Sequence, residues 1–292
     1  MNFSKKLMPM MFALSLMIMG MAGLPIEFLG DDKPSPHIVT GLRLAFVGVL
    51  ATTIGVITGR KNPLNTAFSR TDVRSLFVFI GLAVFCVNGS LTYALFFLDD
   101  RMAMAIMFVA IGAVYVAHDS RSWVAWMVAA LAVGGTALLA SDNTTDIEFN
   151  MYGITFAAIG GAAQGFMFFK KGLMPKNVDP GIALGMSFLL GGLFMIFVSV
   201  FLAPIANPLI AMPNLLVAML ASALMTVMGW LILGYFPEKM SGAQKTGAAS
   251  MEPVGAAITQ YVILGTPLLS ELIGVVMLVL SAAMAVFLTK KQ

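Results

Sequence analysis

A single cysteine, Cys86, leaves no disulfide to organise the chain, and with only two histidines no Cys/His spacing offers a metal site. No phosphate-cradling glycine loop, zincin helix, nucleophile elbow or pair of catalytic carboxylates is present, so the sequence reads as neither an enzyme nor a user of a cofactor. Charge is scarce as well: Asp, Glu, Lys and Arg make up 11% of the residues, against about a quarter in an ordinary soluble domain. A net charge of +3 and a pI near 9.0 would suit nucleic acid, but the basic residues punctuate apolar runs instead of forming a patch, and no nucleic-acid partner is expected.

What fills the chain is hydrocarbon. Of its 292 residues 59% are hydrophobic and the mean hydropathy is +0.93, which predicts an all-α polytopic protein surrounded by membrane lipid. Apolar runs of spanning length fall at about 7–29, 36–58, 75–98, 101–118, 122–140, 151–170, 180–203, 212–235, 242–264 and 268–288, giving ten expected transmembrane helices. The connections are too short for a separate domain, so recognition has to happen among the spans. Twenty-four methionines are read as soft filler of the bundle.

Lys and Arg set the expected orientation. If the spans alternate, the seventeen basic residues divide as fourteen on one side, two (Lys33 and Arg101) on the other, and Arg43 inside a span. That bias puts both termini in the cytoplasm, with the membrane taken to be a bacterial inner membrane. The first run also resembles a signal peptide with a cleavage region near Ala22-Gly23; reaching Leu29 is long for a signal core, which favours an uncleaved helix.

The acidic connector 141–150 divides the chain into expected five-helix repeats, 1–145 and 146–292. Ala103–Leu139 and Ala249–Val286, about 147 residues apart, share a span rich in Ala, Met and Val, a short polar turn and a small-residue span. An odd number of spans per repeat inverts the second copy, the design of alternating-access carriers.

The costliest residue is Glu252. A continuous helix over 242–264 would place it roughly 15 Å from either end, near the bilayer midplane, where insertion of an acid costs about 2.5 to 3.5 kcal/mol. Pro253 follows at once, removing a backbone donor, so the helix is expected to bend or open beside the carboxylate, with Pro253 and Gly255 as hinge residues. Lys245, Ala248, Ala249, Glu252, Gly255, Ala256 and Thr259 share one face, suited to a cavity or a close helix contact. Against this stands a purely structural reading, in which the carboxyl is neutralised or paired to hold the bundle together.

Arg43 lies about seven residues, or roughly 10 Å, inside the second span. It belongs to the other repeat from Glu252, so the two could form a gate or bind the two ends of a zwitterion; alternatively Arg43 snorkels to Asp31, Asp32 or headgroups. Asn88, Tyr93, Gln164, Trp230, Thr259 and Gln260 complete the candidate substrate contacts, each weighed against a packing hydrogen bond between helices.

These residues resemble a known family, the EamA-type carriers of the drug/metabolite transporter superfamily. The likeness rests on Gly20, Pro25, Pro36 and Gly41-Leu42-Arg43 in the first two spans, on Gly153, Ala157-Ala158, Gly161-Ala162-Ala163 and Lys170-Lys171 in the sixth, and above all on Ser250-Met251-Glu252-Pro253-Val254 with Leu264-Gly265 and Leu272-Ile273-Gly274. The resemblance implies two five-helix repeats and, in its amino-acid and metabolite exporters, export of a small molecule by alternating access around a central cavity, with proton coupling as one option. A non-transporting accessory subunit, or a carrier of a drug, nucleotide precursor or lipid-linked solute, are the alternatives.

Overall fold

The computed structural model describes residues 7–27, 36–58, 69–98, 100–118, 122–140, 150–170, 173, 178–202, 212–235, 240–264 and 269–288. Asp31, Asp32, Asp142 and Glu148, and residues 265–268, lie outside them. Among the described residues all regular structure is helical: α1 Leu7–Gly20, α2 Leu24–Glu27, α3 Pro36–Thr58, α4 Arg70–Phe79, α5 Ser90–Phe97, α6 Asp100–His118, α7 Trp123–Ala140, α8 Met151–Phe169, α9 Pro180–Leu202, α10 Met212–Tyr235, α11 Gly242–Ala249, α12 Met251–Leu264 and α13 Leu269–Leu288. A π-helical stretch, Ile80–Gly89, joins α4 to α5.

Among the described residues six helices are long and apolar enough to cross a membrane: Ile38–Thr58, Arg70–Gly89, Met151–Phe169, Pro180–Ser199, Pro213–Tyr235 and Leu269–Phe287. Leu7–Gly20, Met102–His118 and Trp123–Leu139 are shorter apolar helices. Phe77, Phe197, Val217, Val276 and Phe287 turn their side chains outward while Lys245, Glu252 and Gln164 are buried, the inside-out polarity that hydrocarbon surroundings favour.

The first apolar run is not one α-helix. α1 stops at Gly20, a 3₁₀ turn covers Met21–Gly23, and Pro25 sits in the first turn of α2, where its missing N–H breaks no helical bond. α4 starts ahead of its apolar run, because Ser69 and Asp72 form a reciprocal capping box that fixes its first turn; such a cap contributes about 1 kcal/mol. Asn150 caps α8, accepting from the Tyr152 and Gly153 amides, and Ser241 with Gln244 repeats the capping box on α11.

The chain divides into two compact units, each drawing on both halves of the sequence. Unit 1 comprises Met1–Met21, Cys86–Lys171 and Glu238–Gln292; unit 2 comprises Ala22–Phe85 and Gly172–Pro237.

Unit 2 is built on α3 and α9, antiparallel and in backbone contact over most of their length. Gly41, Gly48 and Gly55 recur every seven residues on α3, and a Cβ added to Gly48 would lie 2.4 Å from the Leu189 amide nitrogen and 2.8 Å from the Gly185 carbonyl oxygen. Gly185 and Gly192 return the contact, on Thr52 and Ala45. In lipid, where apolar burial gives little drive, such close van der Waals approach holds helices together. α10 covers this pair through Leu215, Ala218 and Met219 against Val39, and Ser222 donates to the Ala22 carbonyl at 2.6 Å.

In unit 1, α7 and α13 cross at Gly135 and Gly274, each facing the other's carbonyl, and Ser281 donates across to the Val128 carbonyl at 2.9 Å. α8 runs beside α6, with Gly161 against the Met107 carbonyl and Gly165 against Val114. α1 crosses α12 with Gly20 packed on the Glu252 carbonyl and Gly255 packed on the Met17 carbonyl.

Candidate functional site

The expected helix over 242–264 is two helices. Pro253 cannot donate to the Ala249 carbonyl, and the chain responds one turn earlier: the Ser250 amide bonds back to the Gly247 carbonyl at 3.2 Å, tighter than an α-turn. The Ser250 hydroxyl donates both to Gly247 O (2.6 Å) and, across to α13, to Leu278 O (3.0 Å), so the break is anchored as well as opened. Glu252 therefore stands in the first turn of α12 and not in the middle of one long helix, at the end of the helix dipole that attracts negative charge. It is 8% exposed, and Pro253, Val254 and Gly255 around it are buried.

The predicted small and polar face is real. Lys245, Ala248, Ala249, Glu252, Gly255 and Thr259 are all buried and Ala256 is half-buried. What covers part of it is α1, whose backbone reaches Glu252 and Gly255 because Gly20 presents no side chain: a Cβ there would fall 2.0 Å from Glu252 O, and one on Gly255 would fall 1.9 Å from Met17 O. Thr259 turns its hydroxyl into its own helix, donating to Gly255 O at 3.3 Å.

Most of the remaining candidates belong to the same unit. Asn88 is buried at the end of the π-helical stretch, and Gly160 packs on that stretch through Cys86 and Val87 and on Ser90 of α5. Gln164, one turn further along α8, is 4% exposed, and its Oε1 has no hydrogen-bond partner among the described residues. Tyr93 stacks on Phe156, with ring centroids 5.3 Å apart. The side chain of Gln260 lies outside the described residues.

Two candidates belong to unit 2. Arg43 is half-buried on α3. Trp230 sits between Phe79 and Phe188, edge-on to both at centroid distances of 6.3 and 5.0 Å, and fills the core of that unit.

Two more charges are buried in this unit: Lys245, which the sequence placed on the face of Glu252, and Glu271, which it did not single out. Lys245, counted with the cations at the span boundaries, is only 5% exposed, and its ammonium donates to the Phe168 carbonyl at 3.2 Å, in the last turn of α8, where carbonyls lack helical partners. Glu271, in the first turn of α13, is 6% exposed. Its signal was there in the spacing, since Glu271, Gly274, Leu278, Ser281 and Ala285 form one buried stripe. Among the described residues no cluster of three His, Cys, Asp or Glu side chains could hold a metal.

Fold and site together define a helical protein with apolar helices of membrane-spanning length and a carboxylate at a break in one of its buried helices. No family model matches the chain, and no curated protein matches it. Among solved structures 27 chains match. One crystal structure superposes on 98% of this chain and 97% of its own with a TM-score of 0.73 at 15% identity, a likeness that shows a shared fold and nothing about activity.

Proposed function

We propose that this chain is a secondary carrier of a bacterial inner membrane, similar to the EamA-type exporters, moving a small metabolite such as an amino acid by alternating access. The reading takes ten spans in two inverted five-helix repeats, 1–145 and 146–292, with both termini in the cytoplasm. The observation that carries it is the broken helix: Ser250 interrupts α11 and α12 and leaves Glu252 in a helix terminus buried inside a unit. Discontinuous helices with a buried ionisable group are how carriers place substrate and coupling-ion sites at membrane depth. Asn88, Gln164 and Thr259 add polar side chains to the same unit, and Arg43 is the candidate contact for an anionic group.

Flux from purified protein in liposomes, measured with a panel of labelled amino acids, tests the carrier, and Glu252→Gln separates the roles of the carboxylate. As a proton carrier, Glu252→Gln keeps exchange between loaded compartments but loses uphill transport driven by a pH gradient. As the partner of a substrate amine, it loses both. Intact gradient-driven flux returns Glu252 to a packing role. Tags at both termini and in the 59–74 loop are expected to report the cytoplasm, and one near Asp142 the outside; either terminus outside overturns the ten-span arrangement.

A further inference from the structure

We infer that the middle of α8 holds a site for a monovalent cation, formed where Gly160 and Gln164 face the end of the π-helical stretch, and that it takes a sodium ion or the ammonium group of a substrate. The site stands on geometry within unit 1; only its use in transport rests on the carrier reading. Gly160 lies about 14 Å from either end of α8. A Cβ added there would stand 3.4 Å from Cys86 O, 3.5 Å from Val87 O and 3.6 Å from the Ser90 Cβ, all ordinary contact distances, whereas at Gly153, Gly161 and Gly165 it would crowd Leu98, the Met107 carbonyl and Val114. The helix is tightly packed to either side of Gly160 and leaves a methyl-sized space at it. Two carbonyl oxygens face that space. A π-turn bonds a carbonyl to the amide five residues on and an α-turn to the amide four on, so the passage from π to α winding skips one carbonyl. With π winding to Gly89 and α winding from Ser90, the skipped one falls in the turn of Cys86 and Val87. Gln164 supplies a third oxygen. A helical side chain leans back over the residue four before it, here Gly160, which has no side chain to fill the room. Gln164 is 4% exposed and its Oε1 has no hydrogen-bond partner among the described residues, a loss that a donor or a cation at the space would restore. These oxygens carry no formal charge. Divalent ions held by protein oxygens draw on carboxylates, and transition metals on imidazole or thiolate; carbonyl dipoles suit a monovalent cation, and irregular helix backbone is where carriers use them.

The test takes full-length protein in lipid nanodiscs and replaces choline chloride stepwise by sodium chloride or methylammonium chloride at constant ionic strength, with the thermal midpoint as readout. One or both cations should raise the midpoint saturably. Gln164→Leu, which removes an oxygen, and Gly160→Ala, which fills the space, should each raise the half-saturating concentration at least about tenfold, since contacts to a charged group are lost. Gly112→Ala puts the same methyl on α6, where a Cβ would meet Ala129 and Val133 at 3.4 and 3.6 Å, and should stay within about twofold of the unsubstituted protein. Gln164→Glu, which keeps acceptor oxygens and loses the amide N–H, should retain the response. A response to sodium alone identifies a coupling ion, one to methylammonium alone the amine end of the substrate, and one to both a single site that serves either. No saturable response to either cation, a response unchanged in Gln164→Leu and Gly160→Ala, or its loss in Gln164→Glu overturns the site. Saturable binding of this pattern with no flux of any labelled amino acid keeps the site and removes the carrier; flux with no saturable response does the reverse.

Discussion

The two units solve the same packing problem with opposite chemistry. Unit 2 brings helices together by removing side chains: Gly41, Gly48 and Gly55 meet Gly181, Gly185 and Gly192 backbone to backbone. Three of its buried hydroxyls, Ser187, Ser199 and Thr226, donate to carbonyls three or four residues back in their own helices and add little polarity to the interior, while Ser222 reaches across to the Ala22 carbonyl and Asp72 is its buried charge. Unit 1 buries amides and charges, Asn88, Gln164, Lys245, Glu252 and Glu271, and ties some of its polar groups across helices. The difference teaches where chemistry can reside. A side chain that satisfies its own helix is scaffold, and one whose partner lies on another helix can change partner when the helices move.

The largest expected effect of breaking this division comes from unit 2. Gly48→Val pushes a branched side chain into the α9 backbone, which cannot yield as a flexible side chain would, and overpacking of this kind costs about 1–3 kcal/mol or more. The yield of monodisperse protein after detergent extraction should collapse, whereas Glu252→Gln should be recovered at near wild-type yield. Next, Pro253→Ala restores a donor for Ala249 O. It should change the thermal midpoint little, because Pro253 stands in the first turn of α12, where proline is tolerated, while slowing flux by straightening the break. Arg43→Ala tests the exception, the one candidate charge on α3; flux should be lost with abundance unchanged, and normal flux would leave unit 2 as scaffold throughout. The smallest effect is expected from Thr226→Val, which deletes only a bond within α10. Its midpoint should shift by no more than the equivalent of about 1 kcal/mol, while Ser281→Ala, which cuts a bond between α13 and α7, should shift it more.

The face around Glu252 was legible in the sequence because helical spacing alone assigns residues to one side, and six of the seven residues so placed are buried. The position of the break was not, since proline fixes which bond is missing but not which residue absorbs the change; that depended on a hydroxyl, Ser250, with α13 within reach. The seven-residue glycine spacing of α3 is visible in the chain, but its partner is not, because small residues say only that something comes close. Lys245 was read both ways, on the face of Glu252 and among the cations at the span boundaries, for a related reason. Near a span end, a lysine at the boundary and one reaching a helix C-terminus inside look the same, and only the neighbouring α8 tells them apart. Nothing in Ile80–Gly89 announces π-helical winding.

Chain order gives the cross-helix bonds a further meaning during synthesis. Ser222 donates to Ala22, Tyr235 to Asp179, Lys245 to Phe168 and Ser281 to Val128, and in each pair the acceptor is made first. Three of the four acceptors are backbone carbonyls of earlier helices, so they are in place before their donors are made; Ser250 is the exception, since its acceptor Leu278 O comes later. The donors arrive last, in α10, α11 and α13, and each finds its partner in place. A nascent chain halted before α13 would therefore lack the Ser281 bond and the α13 side of the Ser250 bond, yet Ser250 would keep its bond to Gly247, leaving the hinge formed but unanchored.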